Sequence, residues 1–319
     1  MHIPDGFVSL PVNAATMVAT AATLAVAFWR TRSPKNNDGS SMTLAAMMAS
    51  FVFAAQMLNF PIGGGTSGHF LGGVAIAALL GPWSACLMMA LVLTTQAFFF
   101  ADGGVTALGS NIMNMGIIGG AMVYPLMRTL RRFMPKGLSG YYLSAGAASW
   151  IGIVLASAAC AIELALSGTT LLSVSFPAMV ETHAIIGVGE AAITVAALAT
   201  VAAVRPSVLP AWALLGNTKA AEKISMRKLV AGGLAVALAL AVLVSPFASG
   251  SPDGLEKIAT DQGFLSMASA TTWAYSLFPD YQVSAITAEG LSTGLAGFIG
   301  TLLVFAFGLG LSRLTVRSA

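Results

Sequence analysis

The sequence predicts an all-α, polytopic membrane protein in which a seven-helix core is followed by a two-helix unit. Of its 319 residues, 57% are hydrophobic and only 8% are charged, whereas about a quarter of the residues in a soluble domain are charged. The mean hydropathy is +0.84, and apolar runs long enough to cross a bilayer core of about 30 Å recur along the chain. The net charge of +3 lies in a few loops, so the composition gives no indication of a nucleic-acid partner.

Nine apolar runs are predicted to form the membrane spans. They lie at about residues 8–29, 42–58, 69–80, 82–101, 105–127, 139–167, 178–204, 229–247 and 288–312. The third run is short and ends at the Gly81-Pro82 pair, which indicates a tight turn before the fourth run.

Positively charged loops give the predicted direction of these spans. The basic residues form four clusters: Arg30, Arg32 and Lys35; Arg128, Arg131, Arg132 and Lys136; Arg205, Lys219, Lys223, Arg227 and Lys228; and Arg313 with Arg317. Short loops rich in Lys and Arg stay in the cytoplasm, and nine spans place all four clusters on that side. The N-terminus is therefore predicted to lie outside and the C-terminus in the cytoplasm.

The same pattern divides the chain into three parts. Residues 1–205 are predicted as the seven-span core, residues 206–228 as a basic cytoplasmic linker, and residues 229–319 as a two-span accessory unit. Within the accessory unit, residues 248–287 contain four acidic side chains against a single lysine. We expect this segment to be a polar loop outside the membrane.

The start of the chain, Met1-His2, has the chemistry of a metal chelate. A free α-amine, the backbone nitrogen of His2 and its imidazole Nδ1 can bind one ion through fused five- and six-membered rings. Such rings favour a planar arrangement, which suits Ni(II) or Cu(II). The chelate requires Met1 to remain the first residue. We expect this, because residues 7–29 are too long for a signal-peptide core and no Lys or Arg precedes them.

His69 is the predicted fourth nitrogen of this planar site. It follows a glycine-rich loop, residues 59–68, which the topology places at the same membrane level as Met1. Three consecutive glycines, residues 63–65, predict that the backbone closely approaches another part of the molecule here. The alternative is a purely structural histidine at a helix N-terminus.

Further polar side chains could support the ligands or line the route of the metal. The candidates are Asp5, Asn59, Ser67 and His183. Asp5 could bind metal, but it is predicted mainly to shape the turn around it. His183 could line the route, hydrogen-bond a ligand or join two helices. Glu163 and Glu190 lie in apolar runs, where they could relay protons or act as buried hydrogen-bonded acids.

Other potential ligands and motifs give negative indications. Cys86 and Cys160 are predicted to be packing residues inside apolar runs. The methionines of the apolar helices could bind Cu(I), but packing is the favoured interpretation. The sequence contains neither a Gly-x-x-x-x-Gly-Lys-Ser/Thr loop nor a His-Glu-x-x-His motif. We therefore expect no ATP site and no enzymatic activity in this chain.

Four separated segments together resemble the substrate-binding membrane component of cobalt/nickel energy-coupling-factor transporters, the CbiM/NikM family. They are residues 1–7 (Met-His-Ile-Pro-Asp-Gly-Phe), 63–69, 111–116 (Asn-Ile-Met-Asn-Met-Gly) and 182–190. The resemblance spans about residues 1–205 and implies a seven-helix core whose N-terminus inserts inward. It also implies that the amine of Met1, the amide and ring of His2, and the imidazole of His69 bind the metal.

The C-terminal part is similar to the PDGLE domain of the small accessory component in these systems. Ser-Pro-Asp-Gly-Leu-Glu at residues 251–256 and Phe-Pro-Asp-Tyr at residues 278–281 carry this similarity. It implies that the accessory component is fused to the core. The family works with a transmembrane coupling subunit and cytoplasmic ATPases, which are the implied partners in a bacterial or archaeal plasma membrane. The implied cargo is Ni(II) or Co(II), and the planar nitrogen geometry favours nickel.

Two other functions are compatible with the same residues. A proton-coupled secondary transporter would use Glu163, Glu190 and His183, and it would take up metal without ATPase partners. A membrane receptor or enzyme with a structural metal would bind the ion without moving it across the membrane.

Overall fold

The computed structural model describes residues 1–32, 39–214, 222–269 and 276–315. Three of the basic residues used to predict the topology, Lys35, Lys219 and Arg317, lie outside these ranges. The helices in the described part are α1 (Leu10–Thr31), α2 (Gly39–Gln56), α3 (Gly73–Leu80), α4 (Pro82–Thr95), α5 (Leu108–Asn111), α6 (Val123–Leu130), α7 (Leu138–Leu166), α8 (Leu172–Val204), α9 (Met226–Ala239), α10 (Gly254–Asp261) and α11 (Glu289–Thr315). Three π-helical segments extend or join these helices: Gln96–Phe100 after α4, Ile112–Met122 between α5 and α6, and Leu240–Val244 after α9.

Long apolar helices confirm that this is an all-α polytopic membrane protein. Within the described residues, six helical segments are long and apolar enough to cross a bilayer. They are Leu10–Thr31, Pro82–Phe100, Leu138–Leu166, Leu172–Val204, Met226–Phe247 and Glu289–Thr315. A shorter apolar helix covers Thr43–Gln56, and α3 has only eight residues. The count of nine spans and the orientation of the termini therefore stay predictions.

The glycine-rich loop after α2 folds differently from the prediction. Strand β1 (Phe60–Gly63) pairs antiparallel with β2 (Thr66–Gly68). Gly63, Gly64 and Gly65 all have positive φ, and no atom of the described residues lies within 4 Å of where their Cβ atoms would be. The expectation of a close approach at these glycines is therefore wrong, because they serve the turn itself. The close approach occurs at Gly68, whose Cβ would lie 2.6 Å from Ile186.

The short helix α3 also begins later than predicted. The third apolar run starts at His69, but α3 starts at Gly73 after Gly72 adopts a φ of +83°. A Cβ at Gly72 would lie 2.6 Å from the side chain of Val52, so both the backbone conformation and the packing require glycine. As a result, His69 lies on irregular backbone between β2 and α3 rather than on a helix.

The segment between α9 and α11 is more than a polar loop. It contains α10, whose N-cap residue Asp253 accepts a hydrogen bond from the backbone N–H of Glu256 at 2.9 Å. The backbone N–H of Ser67 donates to the carbonyl of Pro252 at 2.9 Å, which joins this segment to β2. The accessory segment thus lies against the hairpin that precedes His69.

The accessory helices pack on α2 of the core. Glycines of α11 allow this contact: a Cβ at Gly308 would lie 2.9 Å from the Cα of Ala46. A Cβ at Gly297 would lie 2.8 Å from the side chain of Met57. Inside a membrane the hydrophobic effect does not drive helices together, and small residues stabilise their contact by letting the backbones approach closely. This packing fixes the accessory unit relative to the core.

Candidate metal centre

The first seven residues are inserted into the molecule. Met1, Ile3 and Phe7 are almost completely buried, with exposures of 3%, 0% and 1%. The side chain of Asn111 accepts from the N–H of Ile3 at 2.8 Å and donates to its carbonyl at 3.0 Å. The backbone N–H of Gly104 donates to the same carbonyl at 2.8 Å. The segment is therefore held in place by defined hydrogen bonds.

Asp5 fixes the next part of the segment. Its Oδ1 accepts from the N–H of Thr106 at 2.8 Å and from its hydroxyl at 2.5 Å, and its carbonyl accepts from the N–H of Ser269 at 2.9 Å. Gly6 has a φ of +92°, and a Cβ there would overlap the carbonyl oxygen of Met267. The Asp5 carboxylate thus ties the N-terminal segment to the loop before α5, and glycine at position 6 is required by both backbone and space.

The amine of Met1 and the imidazole of His69 face each other. The amine nitrogen lies 2.7 Å from His69 Nε2, and the contact is buried. His69 Nδ1 lies 3.1 Å from the carbonyl of Phe70, and since a carbonyl only accepts, Nδ1 carries the proton. The lone pair of His69 therefore lies on Nε2 and points at the chain terminus. This tautomer leaves Nε2 free to act as a metal ligand.

The ring of His2 lies beside that of His69. The two rings stack with centroids 5.0 Å apart and planes 21° from parallel. Nδ1 of His2 lies 3.1 Å from the carboxylate of Asp102, and Nε2 lies 3.3 Å from Oε1 of Gln96. The π-helical end of α4 supplies Gln96, and Ala101, with a φ of +54°, turns the chain towards Asp102.

An acidic residue of the accessory segment completes the cluster. The ammonium of Met1 forms an ion pair with Oδ2 of Asp253, and the same oxygen lies 3.9 Å from His69 Nε2. Tyr281 donates its hydroxyl to the second oxygen of Asp102 at 2.6 Å. The accessory unit therefore contacts the Met1 amine directly and reaches His2 through Asp102.

Burial and the ammonium of Met1 keep both imidazoles neutral. Together they lower the pKa of His2 and that of His69 from the ordinary 6.5 to about 3. Burial by itself would raise the pKa of Asp253, but the nearby ammonium and His69 hold it below its ordinary value. Burial raises the pKa of Asp102. Neutral imidazoles beside a carboxylate are the form in which nitrogen ligands bind a cation.

His183 shares a small cleft with the N-terminus. Met1, His69, His183 and Asp253 line this cleft together with glycine and aliphatic residues. His183 Nδ1 donates to the carbonyl of Met179 at 2.8 Å, so its lone pair lies on Nε2. That nitrogen is buried and has no hydrogen-bond partner in the described part of the chain. A Cβ at Gly254 would lie 2.9 Å from His183 Cε1, so the accessory segment packs against this ring.

The two buried glutamates of the core accept hydrogen bonds from protein groups. Glu190 accepts from the backbone N–H groups of Leu71 at 2.6 Å and Gly72 at 3.1 Å, two and three positions after His69. Glu163 accepts from the side-chain amide of Asn114 at 2.8 Å. Glu190 therefore fixes the backbone that presents His69, and Glu163 fixes the π-helical segment near the N-terminal residues.

The remaining polar candidates lie between the core and the accessory unit. The carbonyl of Asn59 accepts from the N–H of Ser249 at 2.8 Å. The hydroxyl of Ser67 donates to the carbonyl of Ser251 at 2.8 Å. Asn59 and Ser67 thus join the two units rather than facing Met1.

Cys86 and Cys160 are buried and carry free thiols, which agrees with their predicted packing role.

Sequence reasoning did not place Asn111, Gln96, Asp102, Asp253 and Tyr281 at the site. One local signal was present: an acid at position 253 with a glutamate three residues later is typical of a helix N-terminus. The positions of all five depend on contacts between distant parts of the chain. Side chains alone do not complete the site, because no three His, Cys, Asp or Glu side chains of the described ranges converge closely enough to hold an ion.

Comparisons with known proteins identify the family of this chain. The family described as the cobalt uptake substrate-specific transmembrane region, CbiM, matches residues 2–208, and the PDGLE domain matches residues 227–317. The chain is 35% identical over 317 residues to the "Putative fused nickel transport protein NikMN" of Archaeoglobus fulgidus, covering 98% of each chain. It is 30% identical to the fused nickel transport protein NikMN of Rhodobacter capsulatus, covering 98% of this chain and 97% of the relative.

A solved structure shares the fold of part of this chain. It is described as a truncated transition metal transporter, with a TM-score of 0.56 and 34% identity, and the match covers 63% of this chain and 98% of that one. The relatives are named as transport proteins rather than enzymes, which confirms the expectation that the chain is not an enzyme. The chain belongs to the CbiM family of cobalt and nickel transport proteins, carries a PDGLE domain, and is a multi-pass protein of an archaeal or bacterial plasma membrane.

Proposed function

We propose that this chain is the substrate-specific component of an energy-coupling-factor importer and that it binds Ni(II), or Co(II), outside the membrane. The ligands are the amine of Met1, the backbone nitrogen and Nδ1 of His2, and Nε2 of His69. The observation that carries the proposal is the 2.7 Å approach of the Met1 amine to His69 Nε2 in a buried site. Two nitrogens this close, far apart in sequence, are arranged to share one cation.

The surroundings of His2 suit this role. Binding through Nδ1 requires this nitrogen to leave Asp102 and the ring proton to move to Nε2. Oε1 of Gln96 already lies 3.3 Å from Nε2 and can accept that proton in a hydrogen bond. The ring proton therefore keeps a hydrogen-bond acceptor when the ring changes tautomer, which is the arrangement expected of a metal-binding histidine.

Nickel is the preferred cargo because three nitrogens from one chain terminus favour a planar site. The relatives that match nearly the whole chain are named for nickel transport, and a shorter relative from Sorangium cellulosum, 30% identical over 214 residues, is named for cobalt transport. Cobalt is therefore the second choice. Uptake would depend on a transmembrane coupling subunit and cytoplasmic ATPases, with the N-terminus outside and the basic loops inside.

Several added residues before Met1 test the site. A single one would create a terminal X-Met-His sequence, whose amine, two amides and imidazole form a planar chelate of their own, whereas a longer extension moves the free amine out of reach of His2 and retains every side chain. Purified full-length protein with its native start and the extended protein are compared by calorimetric nickel titration and by visible absorption of the planar nickel complex. We expect the extension to abolish binding, and unchanged binding would refute the site.

The two buried histidines provide a matched pair of variants. His69→Ala removes a proposed ligand and should weaken nickel binding strongly. His183→Ala removes a ring from the same cleft and should have a smaller effect. Uptake into vesicles with and without the ATPase partners then tests the coupling, since uptake without them would favour the secondary-transporter alternative.

A further inference from the structure

One residue of the accessory unit contacts a group of the proposed chelate directly, and a second acts through a residue of the core. Asp253 forms an ion pair with the amine of Met1. Tyr281 donates its hydroxyl to Asp102, whose other oxygen faces His2 Nδ1. In this arrangement Asp253 therefore occupies the amine, and Asp102, held by Tyr281, occupies the ring nitrogen.

The ion pair has a clear physical reason. An ammonium buried in a protein is strongly unfavourable unless a counter-ion pairs with it. Met1 is only 3% exposed, and Asp253 is the carboxylate that contacts its amine. Without this carboxylate, the charged terminus would be more stable in water than in its site. Asp253 therefore favours the inserted position of the N-terminal segment.

Tyr281 is placed at the site by an unusual backbone. Asp280 and Tyr281 have φ values of +52° and +56°, a conformation that L-residues adopt only where the surroundings impose it. The ring of Tyr281 stacks on Phe100 with centroids 5.0 Å apart, and its hydroxyl also accepts from Nε2 of Gln96 at 3.1 Å. The two polar side chains whose oxygens face the His2 ring nitrogens, Asp102 and Gln96, are thus both held by this tyrosine.

We propose that Asp253 and Tyr281 hold the N-terminal segment in its site while no metal is bound, and that the cation replaces them as the group that holds it. This inference rests on the proposed function. On loading, the ammonium and the His2 amide each lose a proton to solvent and one divalent ion enters. Before the exchange the ammonium contributes a charge of +1, and after it the divalent ion and the deprotonated His2 amide together also contribute +1. The carboxylate of Asp253 therefore faces the same net charge in both states. Asp253 and Tyr281 are positioning residues for the N-terminus.

The experiment measures how accessible the Met1 amine is. Full-length protein is stripped of metal with a chelator and treated with an acetylating N-hydroxysuccinimide ester at one pH. Acetylation of the N-terminal peptide is followed by mass spectrometry, with exposed Lys223 as the internal reference. Asp253→Asn removes the charge, while asparagine remains a good N-cap for α10. Asp261→Asn, on the same helix with an exposed ion pair to Lys257, is the matched control.

We expect Asp253→Asn to be acetylated at least about tenfold faster than the wild type, since tenfold corresponds to about 1.4 kcal/mol. Tyr281→Phe should show a smaller increase, and Asp261→Asn none. Nickel added to Asp253→Asn should slow acetylation back to the wild-type rate, which a merely misfolded variant would not do. Equal rates for the metal-free wild type and Asp253→Asn would overturn the inference.

A parallel nickel titration separates this inference from the proposed function. If the wild type binds no nickel, the proposed function fails, while the metal-free acetylation rates still decide whether Asp253 holds the segment. If the wild type binds nickel but Asp253→Asn remains fast in its presence, the exchange of holding groups is refuted.

Discussion

Replacing Asn111 with alanine tests whether the hydrogen bonds to Ile3 set the affinity for metal. Asn111 satisfies both the N–H and the carbonyl of Ile3, but the carbonyl keeps its second bond from Gly104. Alanine therefore leaves one buried group, the Ile3 N–H, without a partner, which costs about 1–3 kcal/mol. Because Ile3 directly follows the proposed chelating amide of His2, we expect nickel affinity to fall by a factor of about 5 to 150.

The assay for this prediction is calorimetric nickel titration of the full chain, together with the thermal unfolding midpoint. Asn114→Ala is the matched control, because Asn114 is equally buried and its amide donates to Glu163 rather than to the N-terminal segment. Both variants should lower the unfolding midpoint, and only Asn111→Ala should weaken nickel binding. Unchanged affinity in Asn111→Ala, or an equal loss in both variants, would refute the reasoning.

Two further predictions concern the insertion of the N-terminal segment. A Cβ at Gly104 would overlap the backbone nitrogen and Oδ1 of Asp5, so Gly104→Ala should displace the segment and weaken nickel binding by about tenfold or more, as measured by titration. Gly310→Ala, in α11, meets no atom of the described residues and should leave binding nearly unchanged. Acid should destabilise the inserted segment, because the pKa values of His2 and His69 are lowered to about 3 in the fold. In the released segment the imidazoles have their ordinary pKa of 6.5, so protons favour release below that pH. The effect is about 1.4 kcal/mol for each pH unit and each imidazole. A constant unfolding midpoint of the metal-free protein between pH 7.5 and 5.5 would contradict this prediction.

Hydropathy was sufficient to locate the long helices, because a bilayer requires long apolar runs whatever their partners. Hydropathy did not locate the short elements. The β1–β2 hairpin has strands of only four and three residues, and its conformation depends on the turn geometry that three glycines allow. Helix α10 lies in a polar stretch whose N-cap signal at Asp253 was present but easily overlooked. Short elements depend on the contacts around them more than on their own composition.

The candidate site divides in the same way. The chemistry of an amine, an amide and an imidazole at Met1-His2 is local, so the sequence alone predicts these as ligands. The groups that hold them are distant: Asn111 is 108 positions from Ile3, and Asp253 is 252 positions from Met1. No local pattern encodes such pairings. The proposed ligands could therefore be named from the sequence, whereas the residues that position them required the fold.

The fused arrangement has a consequence for how Asp253 reaches Met1. The end of α8 is tied to the last part of the linker, since Arg205 forms an ion pair with Glu222 at 2.7 Å and donates to the carbonyl of Ile224 at 2.8 Å. A tether of this kind makes the meeting of the two units intramolecular, so the local concentration of the accessory carboxylate does not depend on the concentration of a second chain. After the linker is cut, the two units should still form the same contacts at the site. The fraction of molecules in which these contacts are formed should then depend on the protein concentration. The positioning of the N-terminus would thus be a property of the assembled pair, which the fusion makes permanent.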